Sequence, residues 1–319
     1  MKISVLGCGR WGSFIGWYLV RCGHNVIQWG NEGHYSFDVL KNTGKNEYVE
    51  LDKRIDLTSN LEYALTNSDI IIISISAQSL RSFMQRITKF NVSDKKFILC
   101  MKGVEVETGK RLSEVVNECG IDKDNIAVWV GPGHIQAFVK GYPNCMVIDS
   151  ANKSLVKYLA DNLRGELIRF YYGDDIIGSE IGAAAKNVMG IAAGMLDGGG
   201  YTTLKGPLMA RGAREVARLI KAMGGNELSA YGLCHLGDYE TTLFSEYSNN
   251  RKFGEKFVKK EPFEKLAEGV STAKALKYLG EKYSVDLPIT NAVYSILYEN
   301  KEPMKVFLTL FSRSTRKEF

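Results

Sequence analysis

A lysine and an amide stand where the spacing of neighbouring residues calls for a buried helix. In GSEIGAAAKNVMGIAAGMLDGGG (178–200), Ile181, Ala184, Ala185, Val188, Ile191, Ala192 and Met195 recur at three- and four-residue steps. Gly182, Ala183, Gly190, Ala193 and Gly194 keep the other faces small. The pattern predicts a helix packed closely on several sides, with Lys186 and Asn187 in its middle. A lone helical lysine commonly snorkels to solvent. Here the small residues and the adjacent amide favour burial, and an ammonium is seldom buried without a partner. Desolvation lowers a lysine pKa towards neutrality, which would make Lys186 a usable proton donor or acceptor.

The second chemical pattern lies at the start of the chain. The apolar run KISVL (2–6) ends at GCGRWG, with Gly7, Gly9 and Gly12 in G-x-G-x-x-G spacing. A helical pattern through Phe14, Ile15, Tyr18 and Leu19 follows, and NVIQW (25–29) supplies a second strand. The first glycine permits the turn, the second lets backbone approach a pyrophosphate, the third lets helix pack on strand, and the helix N-terminus faces the anion. In that context the motif predicts a dinucleotide site rather than a Gly-rich turn. An acid after the second strand would bind the ribose of NAD, and an arginine would accommodate the 2′-phosphate of NADP. Asn31 is neither and Glu32 comes one residue later, so the residues lean only slightly towards NAD.

Further apolar runs, IIIISI (70–75), FILCM (97–101), IAVWV (126–130), CMVI (145–148) and LIRFYY from Leu167, alternate with helical patterns. They predict a parallel, doubly wound α/β sheet that collects ligands at the strands' carboxyl ends. The residues that follow those strands, Ser76 to Gln78, Lys102 and Gly103, and GPGHIQAF from Gly131, are therefore candidates for the site. From about residue 178 helical periodicities dominate, in LKGPLMARGAREVARLIKAMG (204–224), PFEKLAEG (262–269), Thr272–Tyr283 and AVYSILYEN (292–300). Two domains are expected, 1–177 binding a dinucleotide and 178–319 all-helical and binding substrate. Between the helical patterns lies HLGDYETTLFSEYSNNRKFG (235–254), polar, aromatic and without periodicity, a loop that serves as a surface connection or as part of the site.

The chain has 319 residues, 45% of them hydrophobic and 24% charged, with a net charge of +5 scattered along it. That balance suits anionic small molecules more than nucleic acid or a membrane surface. The six cysteines form no CxxC pair and no zinc-ligand spacing, and reduced thiols in the cytoplasm are expected. No secretory signal is read at the start, and runs such as Ile70–Ile75 are too short to span a bilayer. His24 and His235 read as loop or surface histidines, and a dimer is the default oligomer.

Seven ordered blocks together resemble the bacterial NAD(P)-dependent glycerol-3-phosphate dehydrogenases over nearly the whole chain. They are GCGRWG with VIQWG, MKGVE (101–105), GAAAKNVMGIAAGMLDG (182–198), LMARGAREVARLIKAMGG (208–225), GLCHLGDYETTLFSEYSNNRKFG, LAEGVSTAKAL and LPITNAVYSILYENKEP. The resemblance implies a Rossmann-type domain followed by a helical domain, and interconversion of dihydroxyacetone phosphate and sn-glycerol 3-phosphate for phospholipid synthesis. It casts Lys186 as the general acid/base, with Lys102 at the reacting centre and Asp238 beside the substrate. Gly131, Gly133, Asn187, Thr242, Ser248, Asn249 and Asn250 fall on substrate positions. Arg10, Trp11, Asn31, Ile135 and Glu268, with Lys102 and Asn249 again, fall on cofactor positions.

Four positions depart from the family pattern. Asn249 replaces an arginine, a natural bidentate partner of phosphate. In the GPGHIQA loop, Gly133 replaces a hydroxyl residue, His134 an aromatic one and Ala137 an acid. Arg251, His134 or Lys205 are the candidates to bind phosphate instead. The alternative function is a dehydrogenase of the same fold acting on another polyol phosphate or hydroxy acid. A non-catalytic NAD-binding sensor ranks third, because Lys102, Lys186, Asp238 and Thr242 are all present.

Overall fold

The computed structural model describes residues 1–315, 317 and 318. Eight strands make one sheet: β1 (Lys2–Leu6), β2 (Asn25–Trp29), β3 (Asp56–Thr58), β4 (Ile70–Ile73), β5 (Lys96–Leu99), β6 (Ile126–Val130), β7 (Asn144–Ser150) and β8 (Ile168–Tyr172). Their order is β3-β2-β1-β4-β5-β6-β7-β8. The helices among them are α1 (Arg10–Arg21), α2 (Tyr35–Thr43), α3 (Leu61–Thr66), α4 (Leu80–Ile87), α5 (Leu112–Glu118), α6 (Ile135–Val139) and α7 (Lys153–Leu163). The continuous apolar strands are explained by burial on both faces. Ile70 and Ile72 join a core with α1, α6 and α7, whereas Ile71 and Ile73 join the opposite core with α3, α4 and α5.

All neighbouring strands are parallel except β6 and β7, which corrects the fully parallel expectation. A parallel return needs a crossover of about a dozen residues or more, usually built on a helix. The 131–143 connection has enough residues, but its one helix, the five-residue α6, is too short to carry the chain back along β6, and the chain returns antiparallel beside it.

Because β1 has β2 on one side and β4 on the other, the winding reverses at β1 and a crevice opens past the carboxyl ends. Two glycines shape its floor. Gly7 adopts φ +126°, and a Cβ there would lie 2.1 Å from the Ser74 carbonyl oxygen. A Cβ on Gly12 would lie 1.9 Å from the Gly7 oxygen, so only glycine lets α1 start this close to the turn.

Beyond the sheet come α8 (Ile176–Gly198), α9 (Lys205–Ala222), α10 (Asn249–Lys259), α11 (Glu268–Lys282), α12 (Pro288–Tyr298) and α13 (Pro303–Thr309). At about 1.5 Å per residue, the 23 residues of α8 form the longest element and the axis of this half. Every residue from Gly178 to Leu196 is buried. The small residues allow backbone contact with α10: a Cβ on Gly194 would meet Arg251 O at 1.9 Å, and one on Gly254 would meet Ile191 O at 2.1 Å. Asp149 on β7 ties α8 to the sheet, accepting from Ser179 Oγ at 2.7 Å and Asp175 N at 3.1 Å.

Two local expectations change. The aperiodic 235–254 segment folds into a 3₁₀ turn (Leu236–Asp238), a π-helical turn (Glu240–Phe244) and the first residues of α10. The helix expected over 262–269 does not form; α11 begins only at Glu268, and Leu266 is left 61% exposed, without the apolar face a helix would need. Among the described residues no helix is long and apolar enough to cross a membrane.

Candidate functional site

The crevice is a cleft of about 890 Å³ running from Trp29, Asn31 and Arg86 at one end to Lys102, Lys186 and Asn250 at the other. That volume lies towards the top of the ~300–1,000 Å³ common for ligand sites and leaves room for two ligands side by side. Its walls come from both halves of the chain: the turns after β1, β4 and β5 on one side, and α8 with the 241–250 segment on the other.

At the inner end two ammonium groups share one carboxylate. Asp238 Oδ2 accepts from Lys102 Nζ at 2.6 Å and from Lys186 Nζ at 3.1 Å, and Asp238 is 1% exposed. Lys102 also donates to Gly131 O at 2.7 Å, and Lys186 to Thr242 Oγ1 at 2.8 Å. Thr241 donates its hydroxyl to the other Asp238 oxygen. Burial alone would raise the Asp238 carboxyl, but Lys102 and Lys186 hold it below the ordinary carboxylate range. Burial, aided by the Lys102 charge, brings Lys186 down to about 8 against the upward pull of Asp238. A lysine with that pKa gives or takes a proton near neutrality.

A chain of amides fixes the lysines' supports. Asn187 donates to Lys102 O at 3.0 Å and accepts from Asn250 at 3.0 Å, and Asn250 accepts from Gly269 N at 2.9 Å. The end of β5, the middle of α8 and the starts of α10 and α11 are thereby joined in one line. The sequence places Asn187 and Asn250 at the site but carries no signal for their pairing, because the partners come from distant elements.

The outer cleft fits a nicotinamide dinucleotide. A Cβ on Gly9 would meet no protein atom within 4 Å and would project into open space, so the backbone at the start of α1 is accessible. No acidic side chain occupies the first turn of α1 to repel a pyrophosphate. Trp29, Gly30, Asn31, Ser36 and Phe83 line the far end, and Glu268 closes over the turn after β4, accepting from Ala77 N at 3.4 Å. Burial raises the Glu268 carboxyl above its ordinary value, against the Ala77 and Ser76 hydrogen bonds.

Gly7, Gly9, Arg10, Trp11, Asn31, Lys102, Gly133, Lys186, Asn187, Thr242, Ser248, Asn249, Asn250 and Glu268 all line this one cleft. Asp238 lies beneath the two lysines, and Gly131 contributes its carbonyl to Lys102. The Ile135 side chain is 1% exposed and belongs to the sheet core, so only its backbone is available to a ligand. Of the substitutes for a phosphate-binding arginine, Lys205 and Arg251 are both held by Asp197 Oδ2, at 2.6 and 2.8 Å. His134 does line the cleft, and neither ring nitrogen has a protein partner. His235 is not a surface residue: it is fully buried, with Nδ1 2.8 Å from Gly182 O and Nε2 2.7 Å from the Tyr239 hydroxyl. Its neighbours are brought together by the turn into Asp238, which periodicity does not foretell. His24 is half-buried, with Nε2 3.0 Å from Asn162 O.

Known proteins resemble this chain from end to end. Residues 2–156 match the N-terminal family model of NAD-dependent glycerol-3-phosphate dehydrogenase, and residues 175–308 match its C-terminal model. A glycerol-3-phosphate dehydrogenase [NAD(P)+] of Thermoanaerobacter sp. (strain X514) is 33% identical over 100% of this chain and 99% of its own length. One of Staphylococcus aureus (strain JH9) is 32% identical over 99% of each chain. The crystal structure of glycerol-3-phosphate dehydrogenase from Coxiella burnetii superposes with a TM-score of 0.89 at 26% identity, covering 98% of this chain and 99% of that one. With both halves matched in order and relatives similar from end to end, the chain belongs to the NAD-dependent glycerol-3-phosphate dehydrogenase family.

Proposed function

We propose that the protein is an NAD(P)-dependent glycerol-3-phosphate dehydrogenase, reducing dihydroxyacetone phosphate to sn-glycerol 3-phosphate and running the reverse oxidation. The observation that carries this reading is the pair of lysines on Asp238 at the inner end of a dinucleotide-shaped cleft. Gly7, Gly9 and Glu268 would hold a nicotinamide dinucleotide, which would supply hydride for the carbonyl carbon. Lys186 Nζ then protonates the oxygen that develops negative charge, while the Lys102 ammonium stabilises that charge. Asp238 holds both ammonium groups in place, and Thr242 directs Lys186. Asn187, held by Asn250 and donating to Lys102 O, keeps the two halves in register around the substrate, a positioning effect. We place the enzyme in the cytoplasm, in keeping with six free cysteines.

The test is oxidation of NADH and of NADPH by purified protein with dihydroxyacetone phosphate, followed at the nicotinamide absorbance. Turnover with either cofactor is expected. Turnover only with another polyol phosphate or a hydroxy acid would move the enzyme to the alternative substrate class, and cofactor binding without turnover on any of them would leave a sensor.

A further inference from the structure

Four cations line the cleft among the described residues: Arg10, Arg86, Lys102 and Lys186. The two lysines are engaged by Asp238. Arg86 lies at the opposite end, over the rings of Trp29 and Phe83 at 5.7 and 5.6 Å. That leaves Arg10 as the guanidinium of the inner end.

Arg10 is the first residue of α1, yet its side chain crosses the cleft to the helical half. Its Nη1 donates to Tyr247 O at 3.1 Å, two residues before the uncharged Asn249, and its Nη2 donates to Gln136 Oε1 at 3.3 Å. Both partners are neutral, and among the described residues no carboxylate forms a salt bridge with it. A half-desolvated guanidinium held by two amide oxygens, with the Tyr48 ring 5.5 Å from it, keeps its charge available for an anion.

A second, independent feature points to the same place. His134 packs edge-on against the Tyr247 ring, with centroids 5.5 Å apart. Both its ring nitrogens are shielded from solvent and lack a protein partner. Buried polar atoms are normally satisfied, and each exception calls for a ligand or another cause. Burial first, then the Arg10 and Lys186 charges, push this imidazole down to about 4, so at neutral pH it carries one N–H to donate.

We propose that Arg10, with the neutral His134 beside it, grips a phosphoryl group at the inner end of the cleft, supplying from α1 the guanidinium that position 249 lacks. The proposal rests on the dehydrogenase reading for its choice of ligands. The phosphoryl group meant is the substrate's; service to the dinucleotide's pyrophosphate, the position on which the resemblance already places Arg10, is the competing outcome.

The variants are Arg10→Ser, Arg10→Lys, Asn249→Arg and the double Arg10→Ser/Asn249→Arg, each checked for an unchanged melting temperature. Steady-state kinetics give KM for dihydroxyacetone phosphate, and a fluorescence titration gives the NADH dissociation constant without turnover. Loss of one charge-assisted pair should weaken the affected constant about 10- to 100-fold in Arg10→Ser. Arg10→Lys should recover it only in part, and the double variant should return to within about threefold of wild type. A change in the KM alone supports the proposal, and a change confined to the NADH constant returns Arg10 to the cofactor's pyrophosphate and overturns it. Less than a twofold change in both, or a loss that Asn249→Arg does not rescue, would overturn the proposal. Wild type is assayed first: if it fails to reduce dihydroxyacetone phosphate the activity reading falls, while the NADH titration of the variants still decides the role of Arg10.

Discussion

At the scale of single residues, the decisive quantity is the proton on Lys186. Its pKa near 8 places the titration of the reacting group within the working range. Ketone reduction needs the ammonium, so its rate should fall as pH rises through about 8. Alcohol oxidation needs the free amine and should rise over the same interval. Lys186→Ala should lower kcat by about 10²–10⁴-fold with the NADH dissociation constant within twofold of wild type; unchanged turnover would remove Lys186 from the acid/base role. The same lysine has a stability consequence of definite sign. With its folded-state pKa below the ordinary 10.5, the native protein binds fewer protons than the unfolded chain, so this group adds stability as pH rises from about 8 towards 10.5. Lys186 could be picked out of the sequence because an ammonium amid small apolar residues is out of place there. His134 stood among three candidates for phosphate, but nothing in the sequence could rank it above Arg251 and Lys205, since an imidazole in a loop looks the same whether its nitrogens are hydrated or bare.

At the scale of elements, the site depends on how closely α8 and α10 approach. Asn250 reaches Asn187 only because the two backbones touch at Gly194 and Gly254. Gly194→Ala would drive a methyl into the Arg251 carbonyl, and overpacking of this kind costs about 1–3 kcal/mol. The expected result is a lower melting temperature together with a reduced kcat, because α10 carries Asn250 away from its partner. A variant that melts lower with kcat intact would show that the amide line tolerates the shift. The small-residue pattern announced the buried helix α8. It could not announce the π-helical turn over Glu240–Phe244, whose shape is set by the contact of Thr242 with Gly190 and by Lys186, both distant in sequence. The run at 262–269 misled for the opposite reason: its apolar residues have helical spacing, but Leu266 lines the cleft and is 61% exposed instead of packing on a core.

At the scale of the whole molecule, the order of strands and helices was readable from alternating apolar runs, since each parallel strand is buried on both faces. The joints between layers were not, because they rest on single polar residues. Glu215 on α9 is one: its carboxylate accepts from Ile289 N at 2.7 Å, Thr290 N at 2.9 Å and the Thr290 hydroxyl at 2.6 Å, at the start of α12. Burial raises it to about 7, against those hydrogen bonds. A raised acid favours the folded state below its unfolded pKa, near 4.5, and that contribution is lost as pH climbs to about 7. Glu215→Gln should therefore flatten the decline in urea midpoint between pH 5 and pH 8, a difference of about 2–4 kcal/mol at most. An unchanged slope would mean that the carboxylate is ionised throughout.

The burial of α8 on every side also bears on how the chain is made. Ala183 and Cys234 belong to the same apolar cluster as Ile71, Leu99 and Val130 of the sheet. When translation has delivered all eight strands, that face still waits for residues some sixty positions further on. Until those residues arrive, the part of that face they cover lacks its packing, which opens the growing chain more than the folded one to wrong associations.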